Sequence, residues 1–257
     1  MKTLRALLRL ALASLSSLVH LVVLVVGGVF LLPFPRARSG WRMFVFRSWS
    51  RSLLPVLGVE LEVEGTPPEP PFFLVSNHLS YLDIPVLGSQ QGAIFVAKSE
   101  IAGWPGIGLM CKAINTIFID RQRLRDLPRV MDAIDREIDH GMGVILFAEG
   151  TSSKGATVLP FRPSLLEAAA RADRRVAYAT LTYCTEPDDP PAHLSVCWWG
   201  GMEFSPHSVD LAKLRRVRAK VVFGDRLIHD CDRKQLAEKL HAAVAGQFEP
   251  VVNEEEE

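Results

Sequence analysis

His78 and Asp83 stand five residues apart in the stretch VSNHLSYLDIPVL. Histidine is the side chain best suited to take a proton near neutral pH, since its ordinary pKa is about 6.5. A carboxylate on the second ring nitrogen would set the tautomer and stabilise the imidazolium as it forms. The spacing limits how the two can meet. On one continuous helix, positions i and i+5 lie about 140° apart. The pair therefore needs His78 on a turn and Asp83 on the first turns of a helix that follows. A strand ending at Ser76 and a helix beginning near Ser80 would supply this, and Pro85 is tolerated only close to a helix start. Taken alone, the same residues also suit a polar turn with a structural histidine.

Three more apolar runs stop at groups that can do acid–base or anion chemistry: Lys98 after IFVA, Asp120-Arg121 after NTIFI, and Glu149-Gly150-Thr151 after GVILFA. In open α/β sheets, ligands bind beyond the carboxyl ends of strands. The chain contains no GxSxG, HExxH, GxGxxG or Walker A pattern, so a serine hydrolase, a zinc hydrolase and a nucleotide-binding fold are not indicated. A base and its orienting carboxylate without an enzyme nucleophile point to direct attack by a substrate hydroxyl.

The elements that must position these groups follow from periodicity. VELEVEG (59–65) alternates apolar and acidic residues, as a half-buried strand does, and PFFLVSN, IFVAK (94–98), NTIFID (115–120) and GVILFAE (143–149) read as buried strands. VAYATLTYCT (176–185), SVCWWGG (195–201) and AKVVFGDRL (219–227) are further strand candidates. Helical spacing marks 125–140, 164–172 and 232–248. Strands alternating with helices predict an α/β domain with a mixed, largely parallel sheet flanked by helices.

Lys+Arg and Asp+Glu are equal at 29 each, so no whole-chain basic field for nucleic acid exists, and no nucleic-acid partner is expected. The four cysteines form no CxxC pair, which fits reduced thiols in a cytosolic compartment. Charge is uneven along the chain. From Lys2 to Arg51 every charged residue is basic, and the last four residues are Glu. Residues 10–34 carry no charge and are long enough to cross a hydrocarbon core of about 30 Å. The run is longer than a signal peptide's apolar region and lacks a small-x-small cleavage site after it, so a retained anchor is expected, with a cleaved signal as the alternative. The Trp-, Phe- and Arg-rich segment 41–57 suits an interfacial helix at an anionic surface. The expected division is anchor and interfacial helices over 1–57, a globular domain over 58–248 and an acidic, disordered tail over 249–257.

Together these motifs resemble those of the glycerolipid acyltransferases, whose best-known members are the 1-acylglycerol-3-phosphate acyltransferases. Asn77, His78 and Asp83 match the NHxxxxD signature. IFIDR with Arg121 matches the second motif, and FAEGTSS matches the third through Phe147, Glu149, Gly150 and Thr151. The resemblance covers roughly residues 58–227. It implies transfer of a fatty acyl group from acyl-CoA or acyl-carrier protein to a lysolipid hydroxyl, with no metal or redox cofactor. His78 would be the base and Asp83 its orienter. Arg121 would bind an acceptor phosphate. Asn77, Lys98, Glu149, Gly150 and Thr151 would serve the substrate site, the glycine letting backbone approach the ligand. Two positions depart from the pattern. Ser152 stands where the third motif usually has Arg, which weakens the case for a phosphomonoester; the resemblance implies a 1-acylglycerol-3-phosphate-type acceptor, with a lyso-ornithine lipid or lysophosphatidylcholine-like lipid as the alternative. VAYATL stands where a V-P-V/I segment is common. Membrane lipids are the expected surroundings, with the catalytic domain on the cytosolic side of the inner membrane.

Overall fold

The computed structural model describes residues 1–120 and 127–252. Two long helices come first, α1 (Lys2–Phe30) and α2 (Pro35–Leu57). Strands and helices then alternate: β1 (Val59–Glu64), β2 (Phe72–Ser76), α3 (Asp83–Gln90), β3 (Ala93–Lys98), α4 (Ile107–Ala113), β4 (Ile117–Ile119), α5 (Leu127–Asp139) and β5 (Gly143–Phe147). The series continues with α6 (Glu167–Arg171), β6 (Ala177–Thr185), α7 (Ala192–Ser195), α8 (Phe204–Lys213), β7 (Val217–Phe223) and α9 (Arg233–Ala245).

The seven strands form one sheet in the order β1-β7-β6-β2-β5-β3-β4. β2 runs parallel to β5 and β6, β3 parallel to β5 and β4, and β1 parallel to β7. β6 and β7 are antiparallel. This is the expected mixed, largely parallel α/β sheet. Its consequence is that β2, β3, β4 and β5 all end on one side of the sheet, where Lys98 closes β3 and His78, Asp120 and Glu149 come just after β2, β4 and β5.

Successive side chains on a strand point to opposite faces. Leu74, Phe95, Ile145, Phe147 and Leu181 face one layer, with Phe46 and Leu54 of α2, Val86 and Leu87 of α3 and Leu211 of α8. Val75, Ile94, Val144 and Leu146 face the other, with Ile134 of α5, Ala169 of α6 and Leu236 and Leu240 of α9. Strand parity continues past Ser76, so His78 belongs to the face that carries α1 and α2.

These two helices are not a detached leader. α2 buries Val45, Phe46, Leu53 and Leu54. α1 starts at Lys2, upstream of its uncharged run, because its first turns are held by the domain. Arg5 donates to the carbonyl of Lys213 at 3.2 Å, and Arg9 to those of Leu214 and Arg215 at 2.6 and 3.0 Å. These are carbonyls left without helical partners at the end of α8. The α1–α2 seam is polar: Ser16 Oγ lies 2.8 Å from Ser52 Oγ, and Trp49 Nε1 donates to Ser17 Oγ at 3.0 Å. His20 sits in this seam, with Nδ1 2.8 Å from the carbonyl of Ser16 and Nε2 3.3 Å from Ser48 Oγ. The outer face of α1 is apolar and open, with Leu8, Leu12, Leu15, Leu18 and Val22 exposed.

Three elements differ from the sequence reading. SVCWWGG is not a strand. It begins at the last residue of α7 and continues as an irregular segment, held to the turn after β2 by the Trp198 N–H on the Leu79 carbonyl. The helix expected over 164–172 is a 3-10 turn (Pro163–Leu166) leading into α6. The first part of the acidic tail is docked: Thr182 Oγ1 donates to the carbonyl of Glu249 at 3.2 Å, Val251 N–H to that of Gly155 at 2.8 Å, and Val252 is buried. Residues 253–257 lie outside the described ones.

Candidate active site

Between β2 and α3 the chain turns through residues 77–82, and nearly every polar group of that turn has an assigned partner. His78 Nδ1 lies 2.7 Å from Asp83 Oδ2. Asp83 is the first residue of α3, so the pair meets across the strand–helix turn, as the five-residue spacing required. The same Oδ2 accepts the N–H groups of Leu79 and Ser80 at 2.8 and 3.1 Å. Asp83 Oδ1 accepts the phenol O–H of Tyr183, on β6, at 2.7 Å. Four donors on a fully buried side chain suit an acceptor-only carboxylate. With Asp83 accepting at Nδ1, the ring proton sits on Nδ1 and Nε2 keeps its lone pair. The His78 ring stacks on Phe147 with centroids 4.1 Å apart and planes at 12°, which fixes its tilt. Its side chain is 18% exposed, against 0% for Asp83, so the base reaches solvent and its orienter does not.

The loop after β5 grips the backbone of His78 from both sides. Glu149 Oε1 accepts the His78 N–H at 2.9 Å, and the Ser153 N–H donates to the His78 carbonyl at 3.0 Å. The next carbonyl, of Leu79, accepts the Trp198 N–H at 2.8 Å, and Ser152 Oγ donates to the carbonyl of Trp198. Tyr81, Trp104, Trp198 and Phe204 pack edge to face beside this turn as an aromatic wall. Tyr81 Oη lies 3.0 Å from His207 Nδ1, and His207 Nε2 lies 3.0 Å from the carbonyl of Cys197. Burial lowers the basicity of His207, so its neutral ring donates from Nε2 and accepts from Tyr81.

Burial pushes the Glu149 carboxyl up to about 8; the N–H groups of His78 and Leu159 oppose the shift and the charge of Asp83 adds to it. The folded state therefore holds this proton more tightly than the unfolded chain does. That contribution to stability is fully present below the ordinary value of 4.5 and is lost as pH rises through about 8. Denaturation of the wild type is expected to lose about 1.4 kcal/mol per pH unit across this window. Glu149→Gln should lack that slope, and denaturant midpoints at pH values inside and above the window check it.

Two of the residues expected at the substrate site, Asn77 and Gly150, are also held by contacts within the chain. Asn77 is completely buried. Its Nδ2 donates to the carbonyl of Leu181 at 2.9 Å and its Oδ1 accepts the Leu181 N–H at 2.7 Å. The amide thus extends the β2–β6 ladder by one side chain. Gly150 has φ +75°, and a Cβ there would come within 2.7 Å of Arg162 Nε. Arg162 also donates to the Glu149 carbonyl at 3.2 Å. Thr151 and Lys98 are exposed, Lys98 at the end of β3, in register with Ile119. Arg121 lies outside the described residues. Sequence reasoning missed Tyr183 and Trp198, neither of which sits in a recognisable pattern, and gave no role to Ser153, the last residue of FAEGTSS.

An acyltransferase family model matches residues 59–182, a segment that contains the whole turn. The chain is 33% identical over 213 residues to the lyso-ornithine lipid O-acyltransferase of Rhodobacter capsulatus, covering 77% of this chain and 76% of that protein. The chain belongs to the acyltransferase family. It is also 32% identical over 158 residues to the 1-acyl-sn-glycerol-3-phosphate acyltransferase of Neisseria meningitidis, covering 58% of this chain and 62% of that one. A solved structure, the 1-acyl-sn-glycerophosphate acyltransferase of Thermotoga maritima, superposes with a TM-score of 0.66 at 19% identity over 95% of this chain and 96% of that one, and so shares the fold. The enzyme is an O-acyltransferase. Its relatives' chemistry and its α1, with a mean hydropathy of 2.3 over a stretch only 6% buried, associate it with membranes.

Proposed function

We propose that the enzyme moves a fatty acyl group from a thioester, acyl-CoA or acyl-carrier protein, to the hydroxyl of a lysolipid at a membrane surface. The observation that carries this reading is the His78–Asp83 pair with Nε2 of His78 unengaged by any described hydroxyl or thiol of the chain. A base without an enzyme nucleophile acts on the substrate's own nucleophile. His78 Nε2 takes the proton of the lysolipid hydroxyl as its oxygen attacks the thioester carbonyl. The carbon–sulfur bond then breaks, an ester bond remains, and the imidazolium returns its proton to the departing sulfur. Asp83 holds the ring and offsets its transient charge. Arg121, Lys98 and Thr151 are the groups assigned to headgroup and donor, on the family resemblance and, for Lys98 and Thr151, their exposure at the same sheet edge.

The membrane reading is supported by the shared face. α1 and α2 pack on the side of the sheet to which His78 belongs, and the polar seam and arginine contacts hold α1 against the domain. A helix long and apolar enough to cross a bilayer, tied along its first turns to α8, anchors the domain at the membrane, with the catalytic domain on the cytosolic side where thioester donors are made.

Two observations favour a lyso-ornithine-type acceptor over lysophosphatidate. Ser152 is uncharged, and its hydroxyl is spent on the carbonyl of Trp198, so this position adds no cation for a phosphomonoester. The relatives covered over more of their length are also lyso-ornithine lipid acyltransferases. The test offers purified enzyme an isotopically labelled acyl-thioester with lyso-ornithine lipid, lysophosphatidate or lysophosphatidylcholine, and reads product mass. Acylation of lyso-ornithine lipid in preference to the others is expected. A preference for lysophosphatidate would reverse the assignment.

A further inference from the structure

We propose that Tyr183 is a positioning residue of the reaction, its phenol O–H holding the outer oxygen of Asp83 so that the carboxylate stays aimed at His78. This rests on the reading of His78 as the base. Tyr183 lies one residue beyond the segment matched by the family model and 100 positions from Asp83 in the chain.

Asp83 Oδ2 has three donors, the His78 ring and the N–H groups of Leu79 and Ser80. Asp83 Oδ1 has Tyr183, at 2.7 Å. Without it, one side of a fully buried carboxylate would face apolar surroundings, and the cheapest relief would be protonation or rotation of the carboxyl, either of which spoils its hold on Nδ1. The groups facing Asp83 leave that duty with Tyr183. His78 uses Oδ2. The Cys197 thiol, from the segment after α7, is held far above its ordinary acidity range by burial and by Asp83 itself. Glu149, from the loop after β5, is turned to the backbone of His78. The phenol is likewise kept protonated by burial and by the adjacent anion, so it donates. Its placement is built in: Asn77 clamps the backbone of Leu181, two residues earlier on β6, and thereby sets where Tyr183 stands relative to the turn.

Tyr183 is also a large, fully buried core side chain. The experiment therefore has to separate the hydroxyl from the ring. Tyr183→Phe keeps the ring. In the full-length enzyme it is expected to lower kcat by about 10- to 100-fold with KM for both substrates unchanged. The acid limb of the pH–rate profile should move to higher pH, since an anion that loses a donor is easier to protonate. In an Asp83→Asn background the same change should add no further loss, because Tyr183 acts through Asp83. A variant with wild-type kcat and an unmoved acid limb, or losses that multiply in the double variant, would overturn the proposal. If Tyr183→Phe fails to fold, fluorotyrosine inserted at 183 keeps the shape and strengthens the donor. It should shift the acid limb to lower pH, and an unmoved limb overturns the proposal. His78→Ala is assayed alongside: full activity there removes the base reading itself, whereas an inactive His78→Ala with an unaffected Tyr183→Phe removes only this inference.

Discussion

Replacing His78 with alanine is expected to lower kcat by about 10³-fold, the scale of a lost general base, while the protein stays folded. The backbone of His78 is held by Glu149 and Ser153, and those bonds do not involve the ring. Asp83 keeps three of its four donors, Tyr183, Leu79 and Ser80. The ring itself is partly exposed, so removing it from the face of Phe147 leaves no closed cavity in the core. The loss should therefore fall on kcat, with KM for lysolipid nearly unchanged and the thermal midpoint within a few degrees of wild type. Thiol release from the acyl donor in the presence of lysolipid measures the first quantities, and a melting curve the last. Retained turnover would remove His78 from the chemistry.

The second large effect concerns the amino-terminal helices. From composition alone, deleting residues 1–57 should liberate a soluble domain. The packing leads to the opposite expectation. Val45, Phe46, Leu53 and Leu54 are buried, all but Leu53 among the same residues that form the sheet's first face, and burying one such side chain is worth about 1.5–3 kcal/mol. Four together approach 8 kcal/mol, on the order of the whole stability of an ordinary domain. The truncated chain is expected to be insoluble or to lose its cooperative unfolding transition. Substituting serine for Leu8, Leu12 and Leu15, on the open face of α1, should instead release folded, active enzyme from the membrane pellet. A truncated domain that is soluble and unfolds cooperatively would show that the helices are detachable.

The catalytic pair was legible because its constraint is local. A five-residue gap, a proline near the helix start and an apolar strand before it leave one way for His78 and Asp83 to meet, and they meet that way. The sheet was legible from short apolar runs that end at polar groups. What could not be read is what depends on distant partners. Asn77 is as polar as any ligand-binding group, but its amide is committed to Leu181, 104 positions away. Gly150 makes a left-handed turn against Arg162, a partner 12 positions away that its own neighbourhood does not announce. Tyr183 looked like any strand tyrosine, because nothing in its neighbourhood announces the carboxylate it meets. SVCWWGG has the composition of a strand, but its Trp198 N–H is bonded to the carbonyl of Leu79, more than a hundred positions away. The acidic tail has a charged end, but Val251 and Val252 just before it find the protein surface.

The central claim is that the acyl group passes directly from thioester to lysolipid hydroxyl, with His78 as base and no covalent enzyme intermediate. The mass of the intact wild-type protein, measured after incubation with acyl-thioester and no lysolipid, tests it most directly. An unchanged protein mass, with thiol released only once lysolipid is added and in proportion to the ester formed, is the expected result. A protein heavier by one acyl group, with an equal burst of thiol before any acceptor is present, would contradict it.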